Sequence, residues 1–388
     1  MKQVYMDHSA TTPADPQVYQ AIKPYFMASY GNPSTIYSLG REAKEAVEKA
    51  REQVASLINA QPGEVYFTGG GTEAANQAII SYMLRNRNRG NHVITSAVEH
   101  HAVLDACRFL EKQGFELTVL PVSPEGLVDP DDLRSALKAN TLLVSIMHAN
   151  NEVGTIQPLK ELAAVSRSAG AVFHTDAVQS VGKIPVNVED LGVDMLSASS
   201  HKIYGPKGAG CLYIRKGTRI KNYLHGGAQE RKKRPGTENV PGVVGFGKAA
   251  ELARQNLLER NETLVYLAER LKDGILNNIP CTRLTGHPVH RIPGHVSVCF
   301  EFVEGESILL MLDNLGIMAS SGSACTSGSL NPSHVLLAMG LSHEIAHGSL
   351  RLTLGKNNTE EDVDYVIEVL PGVIHNLREM SPLTPHML

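Results

Sequence analysis

Two side chains in this sequence have the type and placement needed for covalent cofactor chemistry. Asp176 and Lys202 each follow an apolar run, in HTDAVQ (174–179) and SASSHK (197–202), 26 residues apart. A lysine amine can form a Schiff base, and an aspartate can keep a pyridine nitrogen protonated. Pyridoxal phosphate (PLP) requires both groups. Taken singly, Lys202 is as readily explained as a surface lysine, so the interpretation depends on the pair.

Polar residues also follow three other apolar runs, in TGGGTE (68–73), SAVEHH (96–101) and HANNE (148–152). Ligands of an open parallel sheet bind beyond the carboxyl ends of the strands, so five polar strand ends indicate one ligand site. In TGGGTE, the glycines allow the backbone to approach a ligand, and the following helix start offers N–H groups to a phosphate. By itself this segment is better explained as a tight turn with Thr72 as a helix cap.

The elements that must position these residues alternate along the first 215 residues. Seven short apolar runs are separated by helical patterns, and they are VYFT (65–68), VITSA (93–97), LTVLPV (117–122), LLVSIMHA (142–149), VFHTDA (172–177), MLSASS (195–200) and GCLYI (210–214). Runs that are apolar on both faces, with helices between them, predict a largely parallel sheet covered on both sides. The predicted fold class is therefore α/β.

The pattern changes near residue 240. A long helical pattern over 240–278 is followed by two alternating strands, HVSVCFEF (295–302) and LRLTL (350–354), and by a last helix with a capping-box pattern at Thr359 and Asp362. This region is typical of a smaller α+β unit. We therefore predict a large domain over 15–255 and a small domain formed by 1–14 and 256–388.

Composition excludes several classes of protein. The 388 residues include 36 Lys+Arg and 40 Asp+Glu, a net charge of −4, which argues against a nucleic-acid partner. No apolar run approaches the roughly 18 residues that span a bilayer, and the N-terminus lacks a signal-peptide pattern. The five cysteines contain no CxxC pair, so we expect a cytoplasmic protein without disulfides or a cysteine zinc site.

One short motif suggests zinc, because HEIAH (343–347) fits the HExxH pattern of metalloproteases. Gly348 follows at once and a strand pattern begins, so the helix would end at its second ligand. We therefore expect no metal site.

The chain as a whole resembles the cysteine desulfurases of the NifS/IscS type. The resemblance runs from residue 4 to about 383 and rests on ordered segments: YMDHSATTP, GNPSTIYSLGR, TGGGTEAANQ, EHHAVLD, HANNEVGTIQP, HTDAVQSVGK, SSHKIYGPKG, RPGTENV, SSGSACTSGSLNPSHVLLAMG and GSLRLTLG. It implies a PLP-dependent transferase of fold-type I, with a seven-stranded sheet in the large domain. It also implies a homodimer that converts L-cysteine to L-alanine and an enzyme-bound persulfide, supplying sulfur to an acceptor such as an iron–sulfur scaffold protein.

The resemblance further implies roles for individual residues. Lys202 would bond the cofactor, Asp176 would pair with its ring nitrogen, and His100 would lie on the ring face and transfer protons. The other expected cofactor contacts are Asn151 and Gln179 at the ring hydroxyl, Gly71, Thr72, Ser199 and His201 at the phosphate, and Thr237 from the other subunit. Arg351, whose planar fork suits a carboxylate, and Asn32 would bind the substrate.

Cys325 is the expected nucleophile. It lies in SSGSACTSGS (320–329), small residues with little packing capacity that are typical of an exposed loop. A free cysteine is usually a buried apolar residue, which suits Cys107, Cys211 and Cys299 but not Cys325. As a thiolate, Cys325 could attack the substrate sulfur and carry it outward.

Two alternatives stay open. A lyase acting on selenocysteine or cysteine sulfinate could proceed without a thiol nucleophile, and a PLP aminotransferase would need a keto-acid acceptor. A catalytically silent relative is less well supported, since Lys202, Asp176, Cys325 and Arg351 are all present.

Overall fold

The computed structural model describes residues 2–322 and 332–382. The strands in these residues are β1 (Val4–Tyr5), β2 (Val65–Thr68), β3 (His92–Ser96), β4 (Glu116–Leu120), β5 (Thr141–Ser145), β6 (Val172–Asp176), β7 (Met195–Ser199), β8 (Gly210–Ile214), β9 (Thr282–Leu284), β10 (His295–Phe300), β11 (Ile317–Met318) and β12 (Ser349–Thr353). The α-helices are α1 (Pro16–Ile22), α2 (Pro24–Met27), α3 (Ser38–Leu57), α4 (Gly71–Asn86), α5 (His101–Lys112), α6 (Pro130–Ala136), α7 (Leu159–Ser168), α8 (Val188–Leu191), α9 (Gln229–Lys232), α10 (Val240–Gln255), α11 (Leu257–Asn278), α12 (Gly305–Asn314), α13 (His334–Ala338), α14 (His343–His347) and α15 (Glu360–Met380).

The seven strands predicted from the first 215 residues form one sheet. Its strand order is β2-β8-β7-β6-β5-β3-β4. The pairs from β7 to β4 are parallel, and only β8 runs antiparallel to its two neighbours. The predicted α/β fold with a mainly parallel seven-stranded sheet is therefore confirmed.

Both faces of this sheet are covered by apolar residues. Phe173 and Leu196 pack in a cluster that also holds residues of α3, α7 and α10. Leu143 and Met195 pack in a second cluster with residues of α4 and α5. Leu196 and Met195 are neighbours on β7, so successive side chains of that strand enter opposite clusters, as the pleat requires. This double burial explains why the strands read as continuous apolar runs.

A smaller, antiparallel sheet has the order β12-β10-β9. The two alternating strands predicted here are present, and β9 was not anticipated. The apolar cluster beside this sheet joins Val4 and Met6 to residues of α11, α12 and α15. β1 pairs in parallel with β11, which fastens the N-terminal segment to the C-terminal region. The domain limits assigned from the sequence stay a prediction.

Several helix ends follow the chemistry of their residues. Asp129 caps α6 by accepting from the Asp131 N–H at 2.8 Å, with Pro130 at the first helical position. Thr359 and Asp362 form the predicted capping box at the start of α15. The long pattern over 240–278 is two helices, α10 and α11, which meet at Asn256. The HEIAH helix, α14, ends at its second histidine, as predicted. In the described ranges, no helix is long and apolar enough to cross a membrane.

Candidate active site

A pocket of about 330 Å³ lies at the carboxyl ends of the central strands, within the size range of small-molecule sites. Asp176, the last residue of β6, stands opposite Ser197, and β7 continues two residues further to Ser199. The pocket contains most of the residues predicted for the site, namely Gly71, Thr72, His100, Asn151, Asp176, Gln179, Ser199, His201, Lys202 and Arg351. The strand ends that were predicted to converge do so.

Asp176 is the last residue of β6, and its carboxyl group is buried beside His100 and Lys202. Its Oδ1 accepts a hydrogen bond from the Val178 N–H at 2.9 Å. Burial raises the pKa of Asp176, while the Val178 N–H and the two basic neighbours act in the opposite direction. The pocket therefore holds a buried carboxyl group whose charged form is favoured by the Val178 N–H and by a nearby cation such as Lys202.

Lys202 ends a short 3₁₀ turn, Ser200–Lys202, directly after β7. Its Nζ donates to the carbonyl oxygens of Ser9 at 2.6 Å and Ala10 at 2.7 Å. These two carbonyls belong to the N-terminal segment, which crosses the pocket. That segment was part of the resemblance, but none of its residues was assigned a role. Only the polar run DHSATT hinted at its contribution.

Two histidines of the pocket are held in the neutral state. The Nδ1 of His100 accepts from the Ala102 N–H at 3.1 Å at the start of α5, which places the ring proton on Nε2. Burial lowers the pKa of His100, with Asp176 acting to raise it. Burial, with Lys202 nearby, lowers the pKa of His201 to about 4. Both rings can therefore accept or donate hydrogen bonds without carrying charge at neutral pH.

The start of α4 forms a cradle for an anion. Gly70 has a φ of 156°, and no side chain of the described residues caps the helix, so its first N–H groups can bind a ligand. A Cβ placed on Gly71 would come within 2.6 Å of Val178 Cγ2. Glycine is thus required at Gly71 for the helix to approach the strand ends this closely.

Arg351 reaches the same pocket from β12 of the smaller sheet. One of its terminal nitrogens donates to the carbonyl of Asn151 at 2.9 Å, and the other to Asp7 at 2.8 Å. Its Nε–H is buried and has no hydrogen-bond partner among the described residues. A buried guanidinium N–H without an acceptor is costly, so this side chain is suited to bind an incoming carboxylate.

Gln179 is oriented by two neighbours. Its amide nitrogen donates to the Ser9 carbonyl at 2.9 Å, and its oxygen accepts from the Nζ of Lys183 at 2.9 Å. Burial, together with Lys202 and Arg351, lowers the pKa of Lys183 to about 7. Sequence reasoning missed Lys183, although it lies in the quoted segment HTDAVQSVGK.

Two predicted residues, Asn32 and Thr237, do not line this pocket. Asn32 is exposed, and its side chain accepts from the Ser34 N–H at 2.9 Å in a local turn. Thr237 is exposed on a segment away from the pocket of its own chain. Cys325 lies outside the described residues. The roles of all three stay predictions. The predicted burial of Cys107, Cys211 and Cys299 is confirmed.

Comparison with known proteins places this arrangement in a family. The aminotransferase class-V family model matches residues 4–366. The cysteine desulfurase IscS of Methanosarcina thermophila is 56% identical over 384 residues, 99% of this chain and 95% of the relative. That of Clostridium botulinum (strain Hall) is 52% identical, over 98% of this chain and 97% of the relative. A solved structure described as a NifS-like protein has a TM-score of 0.92 at 38% identity and covers 97% of this chain and 100% of its own.

The pocket is that of a PLP-dependent α/β enzyme, and the chain belongs to the class-V aminotransferase family. The resemblance to the cysteine desulfurases inferred from the sequence is confirmed. Membership of the family implies PLP as the cofactor, in agreement with the sequence. The residues fit it, because the pocket combines a lysine amine, a buried carboxylate and a helix start shaped by Gly71.

Proposed function

We propose that the protein is a cysteine desulfurase that converts L-cysteine to L-alanine and leaves the sulfur as a persulfide on Cys325. The observation that carries the proposal is the meeting of Lys202, Asp176 and Arg351 in one pocket, where the Nε–H of Arg351 has no hydrogen-bond partner in the part of the chain that the structure describes. When bound, PLP supplies an electron-withdrawing ring that stabilises negative charge at the substrate carbon. Lys202 would bond the aldehyde carbon of PLP, and Asp176 would pair with its ring nitrogen.

The phosphate would lie at the start of α4, against Gly71 and Thr72, with Ser199 and His201 on the facing strand end. Neutral His201 suits this position as a hydrogen-bond donor. Its Nδ1 lies 3.1 Å from the Thr11 hydroxyl, which leaves Nε2 for the ligand. Asn151 and Gln179 would contact the ring hydroxyl.

His100 is the proposed proton carrier. Its Nδ1 is engaged by the Ala102 N–H, so Nε2 is the atom that exchanges protons with the substrate. A lowered pKa keeps the ring neutral, as a group that must both give and take a proton requires. Arg351 would hold the substrate carboxylate through its Nε edge, and Asn32 would assist there.

The sulfur transfer is assigned to Cys325. Its thiolate attacks the sulfur of cysteine, the S–S bond forms, and the C–S bond breaks with its electron pair left on carbon. Protonation of that carbon gives alanine, so one cysteine and one thiol yield one alanine and one persulfide. An acceptor protein, such as an iron–sulfur scaffold, would then take the terminal sulfur. A cytoplasmic location remains part of this proposal.

The deciding experiment compares Cys325→Ala with Cys281→Ala, which removes an exposed cysteine that the proposal leaves idle. With L-cysteine, Cys325→Ala should lose alanine formation, and Cys281→Ala should keep it. Mass spectrometry of the wild-type protein should find one added sulfur on the peptide containing Cys325. Alanine released from cysteine at the wild-type rate by Cys325→Ala would support the lyase alternative instead. Alanine that appears only with an added keto acid would support an aminotransferase.

The same proposal includes a homodimer. A second cavity of about 1010 Å³ adjoins the pocket and shares Thr72 and His100 with it. Its lining includes the half-exposed rings of Phe109 and Tyr223, an arrangement suited to a protein interface. A second copy seated here would complete the phosphate site through the partner's Thr237.

Mixed dimers test this geometry. Lys202→Ala and Thr237→Ala should each impair retention of covalently bound PLP when expressed alone. In a mixed dimer, one site then combines an intact Lys202 with an intact Thr237 of the partner subunit, so about half of the sites in hybrids should recover. Borohydride trapping after dialysis measures the recovery. If Thr237 serves its own chain, mixing restores nothing.

A further inference from the structure

The guanidinium of Arg351 already has an anionic partner within the chain. Its terminal nitrogen lies 2.8 Å from Oδ1 of Asp7, and the two side chains are 4% and 16% exposed. Asp7 sits just beyond β1, where it bridges to Thr353 on β12. The carboxylate of a substrate would therefore meet a cation that already has an anionic partner.

The other oxygen of Asp7 is also engaged. Its Oδ2 accepts a hydrogen bond from the hydroxyl of Ser320 at 2.7 Å. Ser320 pairs through its backbone with Arg351, donating at 3.2 Å and accepting at 2.7 Å. One aspartate thus joins the substrate-binding arginine to a serine from a separate segment.

Two carboxylates on one guanidinium compete. The two carboxylates repel each other, and a hydrogen bond from the guanidinium to one carboxylate weakens its attraction for the other. A ligand that takes the Nε edge of Arg351 must therefore loosen its bond to Asp7. Ser320 opposes this loosening indirectly, because its hydroxyl helps to hold Asp7 in place.

We propose that Asp7 is the resident counter-ion of Arg351, that the substrate carboxylate competes with it, and that Ser320 tunes this competition. The proposal rests on the role of Arg351 in the proposed function. It makes Asp7 a positioning residue that sets affinity for carboxylate substrates and favours release of the carboxylate product. Cys325 follows Ser320 by five positions in the sequence, so Asp7 contacts the start of the segment that leads to the nucleophile.

The test uses propionate, which has a carboxylate but no amine and so reports on Arg351 alone. Calorimetric titration of the PLP-loaded protein gives its Kd. Asp7→Asn should tighten propionate binding about tenfold, as expected for loss of an anionic competitor. Ser320→Ala removes the hydrogen bond that helps to hold Asp7 against Arg351, so Asp7 is displaced more easily and propionate binding should tighten about threefold. The double variant should behave like Asp7→Asn, because Ser320 acts only through Asp7. Asp364→Asn, from the surface pair with Arg270, is the matched control and should change nothing.

The outcomes separate the two proposals. If Arg351→Ala binds propionate as the wild type does, Arg351 is not the carboxylate site and that part of the proposed function fails. If Arg351→Ala abolishes binding while Asp7→Asn leaves it unchanged or weakens it, only the inference about Asp7 is overturned. Should Asp7→Asn prove unstable, an unchanged Kd in Ser320→Ala still counts against the proposal. Loss of alanine formation in Cys325→Ala bears on neither result.

Discussion

The hydroxyl of Ser333 donates a hydrogen bond to Oε2 of Glu152, and Gly322 packs against the same oxygen, so closely that an added Cβ would come within 2.9 Å of it. Ser333 also caps α13 by accepting from the N–H groups of Val335 and Leu336. Gly322 and Ser333 therefore meet at one buried carboxyl group. Burial raises the pKa of Glu152 to about 7, although Ser333 and Arg351 act to lower it.

The first prediction concerns Glu152→Gln and pH. A carboxyl group whose pKa is higher in the folded state contributes stability below its unfolded pKa, and this contribution is lost as the pH rises through the folded value. For Glu152 this stability should be lost between pH 4.5, the ordinary pKa of the group, and pH 7, which is about its pKa in the folded protein. Between pH 4.5 and 8, the wild type should lose about 3 kcal/mol more unfolding free energy than Glu152→Gln. Denaturant unfolding at several pH values measures the difference. The exposed Glu161, changed to Gln, serves as the control, and parallel pH profiles for wild type and Glu152→Gln would contradict the prediction.

The second prediction concerns Lys202→Ala. Removal of the amine should leave a protein that cannot retain PLP through a covalent bond, so borohydride treatment should trap none. The absorbance that the covalently bound cofactor gives the purified wild-type protein should also be lost. Lys207→Ala, five residues further along and exposed, is the control and should retain the cofactor. Trapped cofactor in Lys202→Ala would show that another amine bonds it.

The third prediction concerns Asp176→Asn. The amide keeps the size of the side chain and its bond to the Val178 N–H, so the variant should still bind PLP. It cannot hold the ring nitrogen in its protonated form, and turnover of cysteine should fall at least about a hundredfold. Cofactor content and alanine formation are measured on the same sample. The exposed Asp190→Asn should match the wild type, whereas near-normal turnover in Asp176→Asn would remove the assigned role.

Much of this site could be predicted because strand patterns and functional residues coincide. The run VFHTDA begins with apolar residues and is buried along most of its length up to Asp176, and the run MLSAS before Lys202 is likewise buried throughout. A parallel sheet brings such ends together without any further information. The seven strands and the pocket at their ends follow from that pattern.

Contacts between distant segments could not be predicted in this way. Asp7 and Arg351 are 344 positions apart, and no local period joins them. The bridge from Asp7 to Thr353, on the same strand as Arg351, brings them together, but β1 has only two residues and leaves no detectable strand signal. The short β9 was missed for the same reason. The pKa of Lys183 depends on Lys202 and Arg351, which only the folded chain places beside it.

A further interaction of this long-range kind fixes the segment that leads to Thr237. The guanidinium of Arg51, on α3, donates to both oxygens of Glu230 at 2.7 Å, and Glu230 also accepts from the Phe67 N–H at 2.8 Å. Both side chains of the pair are almost fully buried. Three of the four residues of α9, namely Glu230, Arg231 and Lys232, have left-handed backbones, with φ of 44°, 54° and 65°, so this short element is a left-handed turn and not a regular α-helix. Such conformations are unfavourable for side-chain-bearing residues, and the buried ion pair holds them in place.

The last prediction therefore concerns Arg51→Met. Removal of one partner leaves the Glu230 carboxylate buried without its cation, which should lower the unfolding free energy by about 3–5 kcal/mol. Thr237 lies seven residues after Glu230, so relaxation of the strained turn should also weaken PLP retention at the site of the partner subunit. Adding Glu230→Gln to Arg51→Met should recover part of the stability, because the uncompensated charge is gone.

Denaturant unfolding gives the stabilities, and dialysis followed by cofactor assay gives the retention. Arg108→Met, which breaks an exposed pair with Asp105, should leave both nearly unchanged. If Arg51→Met is as stable as that control, the buried pair does not hold the turn.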